Sequence, residues 1–243
     1  MKYVLIVGAK SDIAISLARI YALNGYHLYL AARESVSLTS FANDIKIRNN
    51  IDVQIKELDI SNFGTHYHFF SSLSPKPIGV IIVSGFMSDQ KVCQIDWEKT
   101  INTINVNYIG PVSLLNIFAN YMEKNNNGFI VGVSSVAGDR GRKLNYIYGS
   151  SKAAFTTYLS GLRNRLFTSK INVLTVKPGF VATKMTMGLD LPLFLTAKPD
   201  QVAQDIYNAQ QNGKDIVYTK SIWSMIMLFI KIIPEWKFKK MSL

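Results

Sequence analysis

Short runs of uninterrupted apolar residues alternate along this chain with longer stretches in which apolar residues recur every three or four positions. Tyr3–Val7 is apolar and rich in β-branched residues, the pattern of a parallel strand covered on both faces. A glycine turn follows. From Ser11 or Asp12 the spacing of Ile13, Leu17, Ile20 and Tyr21 predicts a helix, with Ser/Asp as its start and Asn24-Gly25 as its stop. Further strands are predicted at 27–32, 52–58, 77–83, 128–133, 171–176 and 215–218, separated by helical patterns around 36–48, 62–72, 96–123, 148–167 and 199–211. That alternation implies right-handed βαβ units and an α/β fold, a doubly wound parallel sheet of about seven strands in one domain over residues 1–220. Pro111 falls inside a helical stretch, so the helix is expected to kink or restart near Asn107–Gly110. Residues 183–198 fit no clean period and read as a mobile lid over a substrate pocket.

Composition narrows the setting. With 48% apolar residues in 243 positions the chain has material for one large core. The lone Cys93 forms no internal disulfide, which points to a reducing, cytoplasmic compartment. Tyr3–Val7 is too short for a leader peptide, is interrupted by Gly8 and Lys10, and reads as a buried first strand. A net charge of +11 suits an anionic partner, but the lysines are scattered with no basic stripe interleaved with aromatics, so no nucleic-acid partner is expected. His27, His66 and His68 look like strand and loop residues with no ligand spacing to cysteine or carboxylate, so no metal is expected.

The candidate chemistry sits at strand ends. Gly8-Ala-Lys10-Ser11-Asp12-Ile13-Ala14 turns from strand to helix, where backbone amides and a helix N-terminus suit a phosphate. The second strand ends Ala31-Ala32-Arg33; with Lys10 and Ser11, Arg33 makes a basic pocket suited to the extra phosphate of NADP, whereas NAD is favoured by a carboxylate there. Ser135 lies where the fifth strand ends. Tyr148 and Lys152 follow one helical turn apart, on one helix face. The 12 tyrosines and 20 lysines yield about one such pair by chance, so context carries the reading. A tyrosine is a poor acid–base group at neutral pH, and a nearby ammonium is expected to lower its pKa.

On these residues the chain resembles the short-chain dehydrogenase/reductase family over roughly residues 3–220, which implies a Rossmann fold and NADPH-dependent carbonyl chemistry. The resemblance implies a catalytic set of Asn107, Ser135, Tyr148 and Lys152. It also implies cofactor contacts from Asp59 and Ile60 at the adenine, from Ser84 and Gly85, and from the Pro178-Gly179-x-Val181-x-Thr183 segment near the nicotinamide. Two departures stand out. Asp12 replaces the second glycine of the family's turn and puts a carboxylate beside a pyrophosphate unless it turns away to cap the helix; Ile82-Val83-Ser84-Gly85 replaces the family's Asn-Asn-Ala-Gly.

The tail, 221–243, holds an apolar run at 222–233 followed by Trp236, Lys237, Lys239 and Lys240. It is too short to span a bilayer. It reads as an interfacial helix contacting the inner face of the membrane or as an interface in a homo-oligomer. Some members resembling this chain reduce keto-sugars carried on polyprenyl phosphates, which implies a lipid-linked substrate beside the simpler small-molecule carbonyl or alcohol. An NAD-dependent alcohol dehydrogenase and a non-catalytic dinucleotide-sensing scaffold are the rival functions.

Overall fold

The computed structural model describes residues 1–188 and 190–241. Six strands, β1 (Tyr3–Val7), β2 (His27–Ala32), β3 (Val53–Glu57), β4 (Gly79–Ile82), β5 (Phe129–Val133) and β6 (Asn172–Pro178), precede a small parallel pair, β7 (Phe180–Val181) with β8 (Thr196–Ala197), and a final strand β9 (Ile216–Thr219). The main sheet is parallel throughout, in the order β3-β2-β1-β4-β5-β6-β9. It is the seven-stranded, doubly wound sheet that the apolar runs predict.

Both faces of the sheet are covered. On one, Val4, Ile6, Leu28, Leu30, Val131 and Leu174 pack against Leu17 and Tyr21 of α1 (Asp12–Leu23), Ala42 and Ile45 of α2 (Thr39–Asn49), and Val202 and Ile206 of α8 (Pro199–Gln211). On the other, Leu5, Tyr29, Val80, Ile82 and Val173 meet Phe69 of α3 (His66–Ser72), Phe118 of α6 (Gly110–Asn125), and Phe155 and Leu159 of α7 (Tyr146–Leu166). Alternate strand residues therefore serve opposite cores, which is why β1 has no polar position. Full burial of each such side chain contributes about 1.5–3 kcal/mol.

Pro111 does not kink a continuous helix. Between α5 (Trp97–Ile104) and α6 lies a π-helical turn, Asn105–Ile109, and Pro111 sits in the first turn of α6, where its missing N–H costs nothing. One helical piece, α4 (Gln90–Ile95), capped by Asp89, lies outside the predicted helices; α3 falls within the predicted 62–72 stretch, so His66 and His68 are helical rather than strand or loop residues. His66 is fully buried, with Nδ1 3.0 Å from the Ser113 hydroxyl.

The tail completes the fold. Helix α9 (Ile222–Ile232) buries Trp223 and Met227 against Val136, with Phe180, Leu195 and Tyr218 packed around them. A short α10 (Glu235–Phe238) follows. Among the described residues no helix is long and apolar enough to cross a membrane.

Helix packing is tightest at Gly110, where an added Cβ would lie 2.1 Å from the Ile60 carbonyl oxygen; at exposed Gly161 in α7 it would meet nothing within 4 Å. Gly110→Ala is expected to destabilise the protein by about 1–3 kcal/mol and Gly161→Ala to stabilise it by about 0.5–1 kcal/mol. Urea unfolding of both variants checks the pair. Equal midpoints would contradict this packing.

Candidate active site

The strand order reverses between β1 and β4, and there the chain opens a cavity of about 890 Å³ along the carboxyl ends of the strands. Its wall brings together Gly8, Lys10, Ser11, Asp12, Ile13, Arg33, Asp59, Ile60, Ser84, Gly85, Ser135, Tyr148, Lys152, Pro178, Gly179, Val181 and Thr183. Of the residues singled out in the sequence, only Asn107 lies behind that wall rather than on it.

At one end, Gly8 adopts φ +82°, and an added Cβ would stand 2.6 Å from the Ser84 amide nitrogen, so the turn has to be glycine to lie against the end of β4. Ser11 caps α1, its hydroxyl accepting from the Ala14 amide at 3.2 Å. The amides of Asp12 and Ile13 have no acceptor among the described residues. Asp12 turns away from the turn, but not as the helix cap: its carboxylate accepts from the Lys184 amide across the cavity mouth at 2.9 Å. At the tip of β2, Glu57 accepts from the amides of Glu34 and Ser35, both at 2.8 Å, and so fixes the bend that presents Arg33. Lys10 is paired with exposed Glu34 at 2.8 Å. Burial works to raise the Asp59 carboxyl, but hydrogen bonds from Ser61 and the nearby Arg33 charge hold it below its usual range.

At the other end, the π turn aims Asn107 inward. Its amide group donates to the Phe86 carbonyl at 2.8 Å and to the Ser151 hydroxyl at 3.0 Å, while its Oδ1 accepts from the Phe86 amide at 2.8 Å. Asn107 thus fastens the loop after β4 to the helix that carries Tyr148 and Lys152. Ser134 reinforces that helix, donating to the Lys152 carbonyl at 2.9 Å. Lys152 is 3% exposed, and its Nζ donates to the Val133 carbonyl at 3.0 Å. Burial lowers its pKa to about 8. Tyr148 moves the opposite way: burial pushes it up to about 12, with the Ser135 hydroxyl drawing it back part of the way. The expected depression of Tyr148 by Lys152 is therefore not found in this structure: burial dominates, and the opposing pull comes from the Ser135 hydroxyl.

Several residues of this end escaped the sequence reading. Asp139, just after Ser135, is buried between Lys177 Nζ at 2.5 Å and the Tyr218 hydroxyl at 2.7 Å. Arg142 and Asn145 line the cavity beside Tyr148. The available signal was the run Asp139-Arg140-Gly141-Arg142, two cations in the segment joining Ser135 to Tyr148. Of the segment 183–198, in which Leu189 lies outside the described residues, Thr183–Thr186 line the cavity. The segment is fastened by a Thr183–Thr186 capping box, by Lys220 Nζ to the Phe194 carbonyl at 2.8 Å and by the Trp223 indole N–H to the Leu195 carbonyl at 3.1 Å.

Comparison with known proteins agrees with this geometry. The chain is 32% identical to an uncharacterised oxidoreductase of Mycobacterium tuberculosis, over 98% of this chain and 96% of the relative. It is 27% identical to an NADP-dependent 3-hydroxy acid dehydrogenase of Schizosaccharomyces pombe, over 76% of this chain and 74% of that protein. Among solved structures, a short-chain dehydrogenase from Sphingobium yanoikuyae in complex with NADPH superimposes with a TM-score of 0.83 at 20% identity, over 97% of each chain. Residues 2–192 match the sequence model of the short chain dehydrogenases. With an oxidoreductase relative matched end to end and a family match over most of its length, the chain belongs to the short-chain dehydrogenase family.

Proposed function

We propose that the protein is an NADPH-dependent reductase that converts a ketone or aldehyde to an alcohol, with Ser135, Tyr148, Lys152 and Asn107 as its working set. The observation that carries this reading is the convergence of Ser135, Tyr148 and Lys152 on one cavity wall at the strand ends, opposite a glycine turn with free helix amides. Ser135 holds the substrate carbonyl oxygen, and the Tyr148 hydroxyl delivers a proton to it. With a pKa near 12 the phenol stays protonated at neutral pH, the form that can donate a proton. Lys152, anchored on Val133, holds its ammonium behind the tyrosine, and Asn107 fixes both partners by tying their helix to the loop at Phe86.

The cavity fits a nicotinamide dinucleotide. The unpaired amides of Asp12 and Ile13 suit a pyrophosphate, and Ser84 Oγ is buried without a partner on the same wall. Asp59 and Ile60 border the adenine position, and Gly85, Pro178, Gly179, Val181 and Thr183 border the nicotinamide. When bound, the cofactor supplies the hydride. Arg33, exposed and free of ion pairs among the described residues, and Lys10, released from Glu34, favour the 2′-phosphate of NADPH over NADH. The NADP dependence in the name of the Schizosaccharomyces pombe relative agrees.

The outer face of α9 adds a location and a substrate source. Met225, Leu228, Phe229 and Ile232 are exposed, with Trp236 beyond them and Lys237, Lys239 and Lys240 at the rim. We infer that this face rests on an anionic membrane surface, inside the cytoplasm, and that the substrate is a carbonyl compound carried on a lipid. A second copy of the chain is the alternative cover.

Four outcomes test these readings. Tyr148→Phe is expected to lower reductase turnover about 10²–10⁴-fold with NADPH affinity little changed. In the wild type, turnover should fall as pH rises past about 8, where Lys152 loses its charge while Tyr148 stays protonated; near-normal activity of the variant sinks the mechanism. Arg33→Asp should weaken NADPH binding by roughly 2–3 kcal/mol in calorimetry, the scale of a lost charge-assisted contact plus repulsion. Equal wild-type affinity for NADH and NADPH would overturn the specificity. Finally, Leu228→Ser with Phe229→Ser spares the packed face of α9 and should abolish sedimentation with anionic vesicles. If the wild type ignores such vesicles and the double variant instead loses an oligomeric state by light scattering, the face is a subunit interface.

A further inference from the structure

Arg142 is a charged side chain set into the cavity wall with too little to bind. It is half-buried, and its guanidinium offers five N–H donors. Among the described residues its guanidinium contacts the Met227 thioether sulfur, a weak acceptor, from Nη2 at 3.1 Å, and its buried Nε has no partner. The nearest carboxylate, Asp139, is already held by Lys177 and Tyr218. Burial lowers the Arg142 pKa and Asp139 offsets only part of that. Three residues on, at the start of α7, Asn145 makes no side-chain capping bond, and its Oδ1 is likewise buried without a partner on the same wall.

A buried Nε with no partner among the described residues leaves the guanidinium under-bonded. The cavity's own carboxylates do not supply a partner. Asp12 lies at the glycine turn, where it accepts from the Lys184 amide, and Glu34, Glu57 and Asp59 belong to the Arg33 end, so the wall around Ser135 and Tyr148 presents Arg142 and Lys152 with no carboxylate among the described residues. The phosphates of a dinucleotide are accounted for at the glycine turn and at Arg33. What remains unmatched is an anion on the substrate itself.

We propose that Arg142, with Asn145 beside it, is the receptor for an anionic group of the substrate, a carboxylate or a phosphate ester attached near the carbonyl that Ser135 and Tyr148 engage. The planar guanidinium fork matches either oxyanion in a bidentate contact, and the Met227 contact keeps it from swinging into solvent. This makes Arg142 a specificity-determining residue. The proposal rests on the reductase reading of the cavity.

The test uses the full chain with saturating NADPH, which blocks the glycine-turn and Arg33 sites, and titrates inorganic phosphate and acetate separately while following tryptophan fluorescence and thermal midpoint. Wild type is expected to bind one of the two saturably, and the tighter one identifies the group. Arg142→Gln should weaken that binding at least tenfold, and Arg142→Lys should retain most of it. Absence of any Arg142-dependent binding in folded wild type overturns the proposal, as does equal binding by wild type and Arg142→Gln. If Arg142→Gln does not fold by circular dichroism, the comparison of wild type with Arg142→Met decides in the same way. Failure of NADPH to bind sinks the reductase reading instead, and the same anion titration on the NADPH-free protein still decides the role of Arg142.

Discussion

A parallel sheet has to return its chain over one face or the other, and between β1 and β4 the direction of winding changes. The connections leave those two strands to opposite sides, so nothing covers their carboxyl ends. Every polar feature of the site is arranged around that gap. Gly8 lies against Ser84 because the two strands that end there are neighbours; Ser135 and the Pro178–Gly179 bend arrive from β5 and β6, one and two strands further on.

Desolvation decides the chemistry available in that gap. Lys152 and Tyr148 are both moved by burial toward their neutral forms, the lysine downward and the tyrosine upward. The same burial explains why so much hydrogen bonding is spent on position: Asn107, Ser134 and Val133 supply fixed partners for a helix whose two functional side chains would otherwise cost more to hold.

What was legible in the sequence follows from which effects are local. The strands were readable because burial on two faces leaves only apolar residues, and the restart before Pro111 was readable because proline chemistry is local. The six residues of α4 carry too little periodicity to announce a helix. The wall residues were found because each sits at a strand end or on one helix face. The partners they choose were not: Asp12 bonds to Lys184, 172 positions away, and Lys152 to a carbonyl 19 positions back. Their pKa directions depend on that enclosure, which no spacing rule records. Arg142 escaped for the same reason, since an exposed loop arginine and a half-buried one have the same neighbours in sequence.

The loop between Ser135 and α7 also grips the tail. Arg140 donates to the carbonyls of Ile230, Lys231 and Ile233 at the end of α9, pairs with Glu235 at 2.7 Å and stacks its guanidinium 4.1 Å from the Phe238 ring centroid. Two positions further on, Arg142 touches Met227 in the same helix. The carboxyl end of α9 carries partial negative charge, and a cation bound there is favoured by its dipole. One short stretch of chain therefore lines the cavity with one residue and clamps the C-terminal helix with another. Replacing the tail alone would take from Arg140 the three carbonyls, the carboxylate and the ring it holds here, so this loop and the C-terminal helices behave as one exchangeable unit rather than two.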